Sequence, residues 1–195
     1  MEYRPSRQSR MKRKLIWTTL MLFIIFLVST TAYLYTAAPF LLSAAITSGT
    51  TFYHFAMRLA VGALFHASFH NHVDFKRNWF QEKGIEPKLY QAIQVKKWKK
   101  FLPTLQPENF HFRKHDLTGL IQATCQAELV HEIIMVLSFV PVIFSVWFGS
   151  FEIFLITSCM AFLADGSFVI VQRYNRPRLV QFMQKQADTD IRSVL

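Results

Sequence analysis

Apolar residues in this chain come in long runs rather than in alternating or helical stripes. Between residues 15 and 53 no side chain is charged. A bilayer core takes roughly 20 consecutive apolar residues of helix. The run is therefore long enough for nearly two crossings, with Pro39 placed to divide them. A second apolar block, residues 129–171, is divided by Gly149 and Ser150. The pattern predicts crossings at 15–35, 40–59, 129–148 and 151–171. The second is the most dilute, with Ser48, Gly49, Thr50 and Thr51 inside it and Arg58 near its end. Helices of a soluble core are shorter and keep a polar face. The first run also exceeds the ~7–15 residues of a secretory signal core, so it reads as a retained crossing.

The expected fold is thus an all-α membrane protein of about four transmembrane helices. It forms a single membrane domain over 1–195. A basic cytoplasmic tail (1–14) leads into a first hairpin (15–59). A cytoplasmic and interfacial segment (60–128) separates this from a second hairpin (129–171), and a basic tail (172–195) follows.

Charge sharpens this picture. The 195 residues are 52% hydrophobic, yet the formal net charge is +10. Six Lys and Arg lie before the first crossing, eleven between Arg58 and Lys114, and five from Arg173 onward, which accounts for all 22. Cytoplasmic loops carry the excess of Lys and Arg. An even number of crossings puts every one of them on that side, with both termini cytoplasmic in a multi-pass protein of the cell membrane.

The segment 88–102 reads as a short amphipathic helix in the headgroup layer. At about 100° per residue Val95, Trp98, Phe101 and Leu102 share one face, and Lys96, Lys97, Lys99 and Lys100 the other. Such a helix is drawn to anionic headgroups. Nucleic acid is not an expected partner, because the lysines lie between crossings and no nucleic-acid fold signature accompanies them.

Several residues could carry chemistry. Glu128 and His131 are three apart, so on a helix they share a face. A carboxylate there can hold an imidazole in one tautomer and leave its other nitrogen as a base. The alternative is a charge-neutralising cluster at the membrane entry, with Glu132 beside it. His66, His70 and His72 have spacing that could serve a metal together with Glu128 and His131. That would make a metal-dependent membrane oxidoreductase, and a non-catalytic membrane scaffold is a further reading. Asp165, deep in the fourth crossing, calls for a partner such as His54, Arg58 or His131. Cys125 and Cys159 form no disulfide framework or zinc motif. The most distinctive string is Gln172-Arg173-Tyr174-Asn175-Arg176-Pro177-Arg178-Leu179. Guanidinium groups bind phosphate and carboxylate bidentately, so the string points to an anion site. Pro177 is expected to end or bend the helix.

The string 171–179 resembles the C-terminal signature of glycosyl-4,4'-diaponeurosporenoate acyltransferases. Ala127-Glu128-Leu129-Val130-His131 is similar to that family's A-E-L-x-H segment. Lys96-Lys97-Trp98-Lys99, followed by Leu102-Pro103, resembles its basic K-W-K…L-P segment. Phe80, Glu82 and Gly84 fit more loosely, and the sequence departs from the family at Cys125, Gln126 and Asp165-Gly166-Ser167. The resemblance implies transfer of a fatty acyl group to a sugar hydroxyl of a glycosylated carotenoid or similar lipid glycoside. No bound cofactor is implied, with acyl-CoA or another acyl thioester as co-substrate. It implies His131 as the base, oriented by Glu128. Arg173, Arg176 and Arg178 would receive the donor's phosphates, Tyr174 or Asn175 would supply an oxyanion donor, and Lys97 and Trp98 would complete substrate binding.

Overall fold

The computed structural model describes residues 7–70, 73–102 and 117–194. Within them regular structure is helical, as expected. Helix α1 spans Arg7–Thr36 and α2 Pro39–Phe69. Pro39 opens α2, at a position where its missing N–H is no loss. Ala37, at φ 53°, turns the chain between the two helices. Short helices α3 (Glu86–Ala92) and α4 (Val95–Trp98) follow, then α5 (Leu117–Leu137), α6 (Ser145–Phe148) and α7 (Phe151–Val194). Three-residue 3-10 turns lie at Asn78–Phe80 and Lys99–Phe101, and a longer one at Val140–Phe144.

Among the described residues three stretches are long and apolar enough to cross a membrane: Lys12–Thr36, Leu117–Phe148 and Phe151–Gln186. Their apolar side chains are largely uncovered by protein, Leu34, Val136, Val146 and Leu163 among them, as a lipid-facing surface requires. At 31 residues α2 is about 46 Å long, yet its hydroxyls and histidines leave it short of that apolarity. Those hydroxyls are satisfied within the helix. Thr47 Oγ1 donates to the Ser43 carbonyl at 2.8 Å, Ser48 Oγ to Ala44 at 2.7 Å and Thr50 Oγ1 to Ile46 at 2.8 Å. A helix made this way is not barred from a hydrocarbon setting.

The structure departs from the sequence reading in four places. The helix expected to begin at residue 129 starts at Leu117, so Glu128 and His131 lie in its middle. It also breaks beyond Leu137, ahead of Pro141, whose ring nitrogen has no proton to give. The last helix does not end at Pro177 but runs through it to Val194. Arg178 Nη1 donates to the Tyr174 carbonyl, while the carbonyl that the proline leaves without its helical donor is that of Arg173. Finally, the single amphipathic helix over 88–102 is two short helices. Gln94 adopts the left-handed conformation (φ 53°, ψ 44°) and breaks the stripe. Val95 is then fully buried while Phe101 is 78% exposed, so the expected apolar face does not exist as one surface.

The chain forms two compact units. The first holds residues 1–64 and 133–165, the second 65–132 and 166–195. In the first unit Phe23 and Phe52 pack with ring centroids 5.0 Å apart, and Phe139 with Phe162 at 5.6 Å. Tyr53 donates its hydroxyl to the Leu137 carbonyl at 3.0 Å. Of the partners foreseen for Asp165, Arg58 is one the structure supplies, through Nη2. In the second unit, Val73, Phe80 and Cys125 form one apolar cluster with Phe75 and Leu129. Tyr90, Val95 and Tyr174 form another with Trp98, Ile170 and Val171.

Candidate active site

Every residue of the site described here belongs to the second unit. Because α7 continues as helix, Arg173 and Arg176 are three apart on one face. Thr124 and Glu128 are likewise one turn apart on α5. Glu128 is fully buried. Its Oε1 accepts from Arg173 Nη1 at 2.6 Å, and its Oε2 accepts from Arg176 Nη2. Arg173 reaches a second carboxylate, donating from Nε at 3.0 Å and Nη2 at 2.5 Å to Glu86 Oε1. Glu86 Oε2 in turn accepts from the Tyr90 hydroxyl at 2.7 Å.

Backbone carbonyls complete the arginine shells. Arg173 donates to the carbonyls of Trp79 at 3.1 Å and Gln81 at 3.2 Å. Arg176, only 3% exposed, donates to the Phe80 carbonyl at 3.0 Å and to Thr124 Oγ1 at 3.2 Å. Its guanidinium also lies over the Phe80 ring, 5.1 Å from the centroid. Two arginines thus meet two carboxylates and three successive carbonyls of one turn. Buried charge is tolerated only when paired and hydrogen-bonded in this way.

Burial by itself would raise the Glu86 carboxyl. The hydrogen bonds from Arg173 and Tyr90, with the Arg173 charge, outweigh it and hold the group below the usual carboxylate range. Burial, then the hydrogen bond to Glu86, pushes the Tyr90 phenol above its ordinary value.

A second arrangement surrounds Tyr174. Its ring packs edge-on against Tyr90 at 5.5 Å. Lys99 Nζ lies 4.7 Å from its centroid and the exposed Arg178 guanidinium 3.7 Å. Lys99 also donates to Asn175 Oδ1 at 2.8 Å. Burial, then the nearby charges of Arg178 and Lys96, lowers the Lys99 ammonium below its ordinary value. Neither Lys99 nor Arg178 is paired with a carboxylate among the described residues. Two cations held this close to one ring favour an anion between them.

The arginine string therefore divides into two. Arg173 and Arg176, expected to meet phosphate, are matched internally by Glu86 and Glu128, while Arg178 remains outward beside Lys99. Glu128, expected to orient His131, has each oxygen engaged by an arginine. His131 stacks on Phe168, ring centroids 4.7 Å apart and planes within 8°. Trp98 donates its indole N–H to the Ile93 carbonyl at 2.9 Å, and Lys97 is exposed. Glu132 accepts from the Trp79 indole at 3.1 Å. The metal reading finds no cluster of three ligands among the described residues. The His66 and His70 rings are 6.1 Å apart, and His72 lies outside the described residues.

Glu86, Tyr90, Thr124 and Lys99 were not foreseen as site residues. One signal for Glu86 was present: two arginines at the end of an apolar helix need two acids, and Glu128 is only one of them.

Comparison with known proteins places this region within a known family. The family model of glycosyl-4,4'-diaponeurosporenoate acyltransferase matches residues 76–185. That range takes in the turn carbonyls, Glu86, Lys99, Glu128, His131 and the arginine string. A glycosyl-4,4'-diaponeurosporenoate acyltransferase of Staphylococcus haemolyticus (strain JCSC1435) is 28% identical over 125 residues, covering 60% of this chain and 68% of that protein. No solved structure matches. With more than half of its length matched by the family model, the chain belongs to the glycosyl-4,4'-diaponeurosporenoate acyltransferase family.

Proposed function

We propose that this protein is an integral acyltransferase of the cell membrane that moves a fatty acyl group from a thioester such as acyl-CoA to a sugar hydroxyl of a glycosylated carotenoid or similar lipid glycoside. The observation that carries this reading is the meeting of three family-like segments in one buried network. Turn 79–81, helix α5 and the arginine string of α7 are joined through Arg173 and Arg176, which donate to the turn carbonyls and to Glu128. In this reading α2 also crosses the membrane, as the second of four helices that do, both termini are cytoplasmic, and the Lys-rich segment rests on anionic headgroups.

The acceptor hydroxyl gives its proton to the His131 imidazole. Its oxygen attacks the thioester carbonyl, forming a C–O bond. The negative charge on the former carbonyl oxygen is met by the Asn175 amide, which Lys99 orients, or by Tyr174. Collapse breaks the C–S bond, and the departing thiolate takes the proton back from His131. Phosphates of the donor rest on Arg178 and Lys99, with Lys97 and Trp98 at the margin. The Glu128 network holds α5 against α7 and so sets the position of His131.

The test is transfer from acyl-CoA by purified variants. His131→Ala should lower kcat by about 10²–10⁴-fold, the usual worth of a positioned base. Undiminished turnover would remove His131 from the mechanism. Arg178→Ala should instead raise the KM for acyl-CoA by roughly tenfold or more, as loss of a charge-assisted contact does.

A further inference from the structure

The second unit holds one acid more than its paired arginines use. Arg173 is matched by Glu86 and Glu128, and Arg176 by Glu128. Glu132, one turn after Glu128 on α5, forms no ion pair with a basic side chain among the described residues. It is half-buried, and its Oε2 accepts from the Trp79 indole N–H at 3.1 Å. An ionised carboxylate offers about four lone-pair sites. One indole N–H leaves most of that capacity open.

Trp79 is 60% exposed, yet it is held at two points. Its indole N–H is on Glu132, and its carbonyl accepts from Arg173 Nη1 at 3.1 Å. The next residue, Phe80, is buried and so roots the 3-10 turn beneath the indole. The ring is therefore fixed before anything touches it, and a ligand that stacks on it has little ordering left to offset. A tryptophan that only anchors a chain among headgroups turns its N–H to water or lipid. Here that N–H is already engaged, and the carboxylate beside the ring repels phosphate headgroups.

We propose that Trp79 and Glu132 form the subsite for the acceptor's sugar, a reading that rests on the proposed acylation of a glycoside. A pyranose ring carries apolar, weakly positive C–H faces and a rim of hydroxyl donors. The indole face is apolar and electron-rich, which matches the first. The Glu132 carboxylate accepts without donating, which matches the second through charge-assisted hydrogen bonds. Its charge also turns away an anionic ligand, so the sugar and the donor's phosphates are sorted to different places. Glu132 directly follows His131 on α5. Consecutive side chains diverge by about 100° around a helix, so a ring held at Glu132 keeps hydroxyls on the His131 side.

The test reads binding alone, with no acyl donor present. Full-length protein in phosphatidylcholine nanodiscs is photolabelled with an alkyl β-glucoside carrying a diazirine beside the sugar, and adducts are mapped by peptide mass spectrometry. Adducts should fall on turn 79–81 and on α5 around residue 132. Dodecyl β-glucoside should displace them, and dodecanol or dodecyl phosphate should not. Glu132→Ala should weaken the glucoside's competition about tenfold or more, the loss of a charge-assisted hydrogen bond. The freed indole N–H is at the surface, where water replaces the carboxylate. Trp79→Leu should weaken competition about three- to tenfold, and Trp79→Phe, which keeps an aromatic face, less. Displacement by dodecanol equal to that by the glucoside marks Trp79 as a lipid anchor and overturns the proposal. So does labelling that the glucoside does not displace, or competition that Glu132→Ala or Trp79→Leu leaves unchanged. Acyl transfer is measured separately. Glucoside displacement without turnover leaves this subsite standing and removes the proposed reaction, and turnover without displacement does the reverse.

Discussion

Replacing Glu128 by Gln tests whether the second unit is organised around one carboxylate. The side chain keeps its shape and loses its charge. In the native protein its oxygens accept from Arg173 at 2.6 Å and from Arg176. Arg173 would retain Glu86. Arg176, almost without solvent access, would be left with only neutral acceptors, the Phe80 and Thr124 carbonyls and the Thr124 hydroxyl. One edge of the new amide would also turn N–H groups toward a guanidinium that has no acceptor to offer. Breaking a buried pair from one side costs about 3–5 kcal/mol. For a chain of this size that corresponds to a fall in Tm of roughly 6–20 °C. The assay is thermal unfolding of detergent-purified protein followed by circular dichroism, with the exposed Glu82→Gln as a control expected within about 0.5 kcal/mol of the parent. The double variant Glu128→Met/Arg176→Met removes the orphaned charge as well. It should be less destabilised than Glu128→Gln alone, because an apolar pair of similar volume is often near neutral. A Glu128→Gln protein that melts within 2 °C or so of the parent, or a double variant worse than the single, would refute the reasoning.

Other outcomes follow from the same structure. Gln94→Gly should stabilise the protein by about 1 kcal/mol, because glycine takes the left-handed backbone without the Cβ penalty; chemical denaturation measures it. The Glu86 carboxyl is held below its unfolded value, so its contribution is present above the ordinary carboxylate pKa and lost as pH falls through the lower folded value. Melting temperatures taken downward from pH 6 should therefore drop more steeply for the parent than for Glu86→Gln. Arg58→Met alone leaves Asp165 buried and unpaired by that arginine, and it should lower stability by about 3–5 kcal/mol, more than Arg58→Met/Asp165→Leu together.

Much of this architecture was legible in the sequence because hydrophobic run length and charge placement are strong, simple signals. The apolar stretches from 15 and 151 appear as long helices, and Gly149 and Ser150, both at positive φ, make the turn the pattern placed there. Local rules failed where tertiary contacts outweighed them. Pro177 breaks an isolated helix, but here it stands among arginines tied to α5 and to turn 79–81, which hold α7 helical around it. The amphipathic stripe over 88–102 ignored the Gln94 break. Val95 and Tyr90 are drawn into one cluster with Tyr174, which a uniform helix does not provide. The site was half legible. Motif spacing found Glu128, His131 and the arginines, but not that Arg173 and Arg176 face inward, because their acids are far off in sequence, Glu86 87 residues from Arg173 and Glu128 48 from Arg176. Reading charge as surface charge sent all three arginines to the substrate, whereas two of them are matched by buried carboxylates.

The most direct test of the central claim is the mass of the product made by the purified protein in a bilayer from acyl-CoA and a glycosylated carotenoid. The account predicts that the acceptor gains one acyl group in place of its hydroxyl hydrogen, with free CoA thiol released in equal amount, and that Arg178→Ala slows this chiefly at low acyl-CoA. Recovery of the glycoside unchanged from the folded parent protein would contradict it.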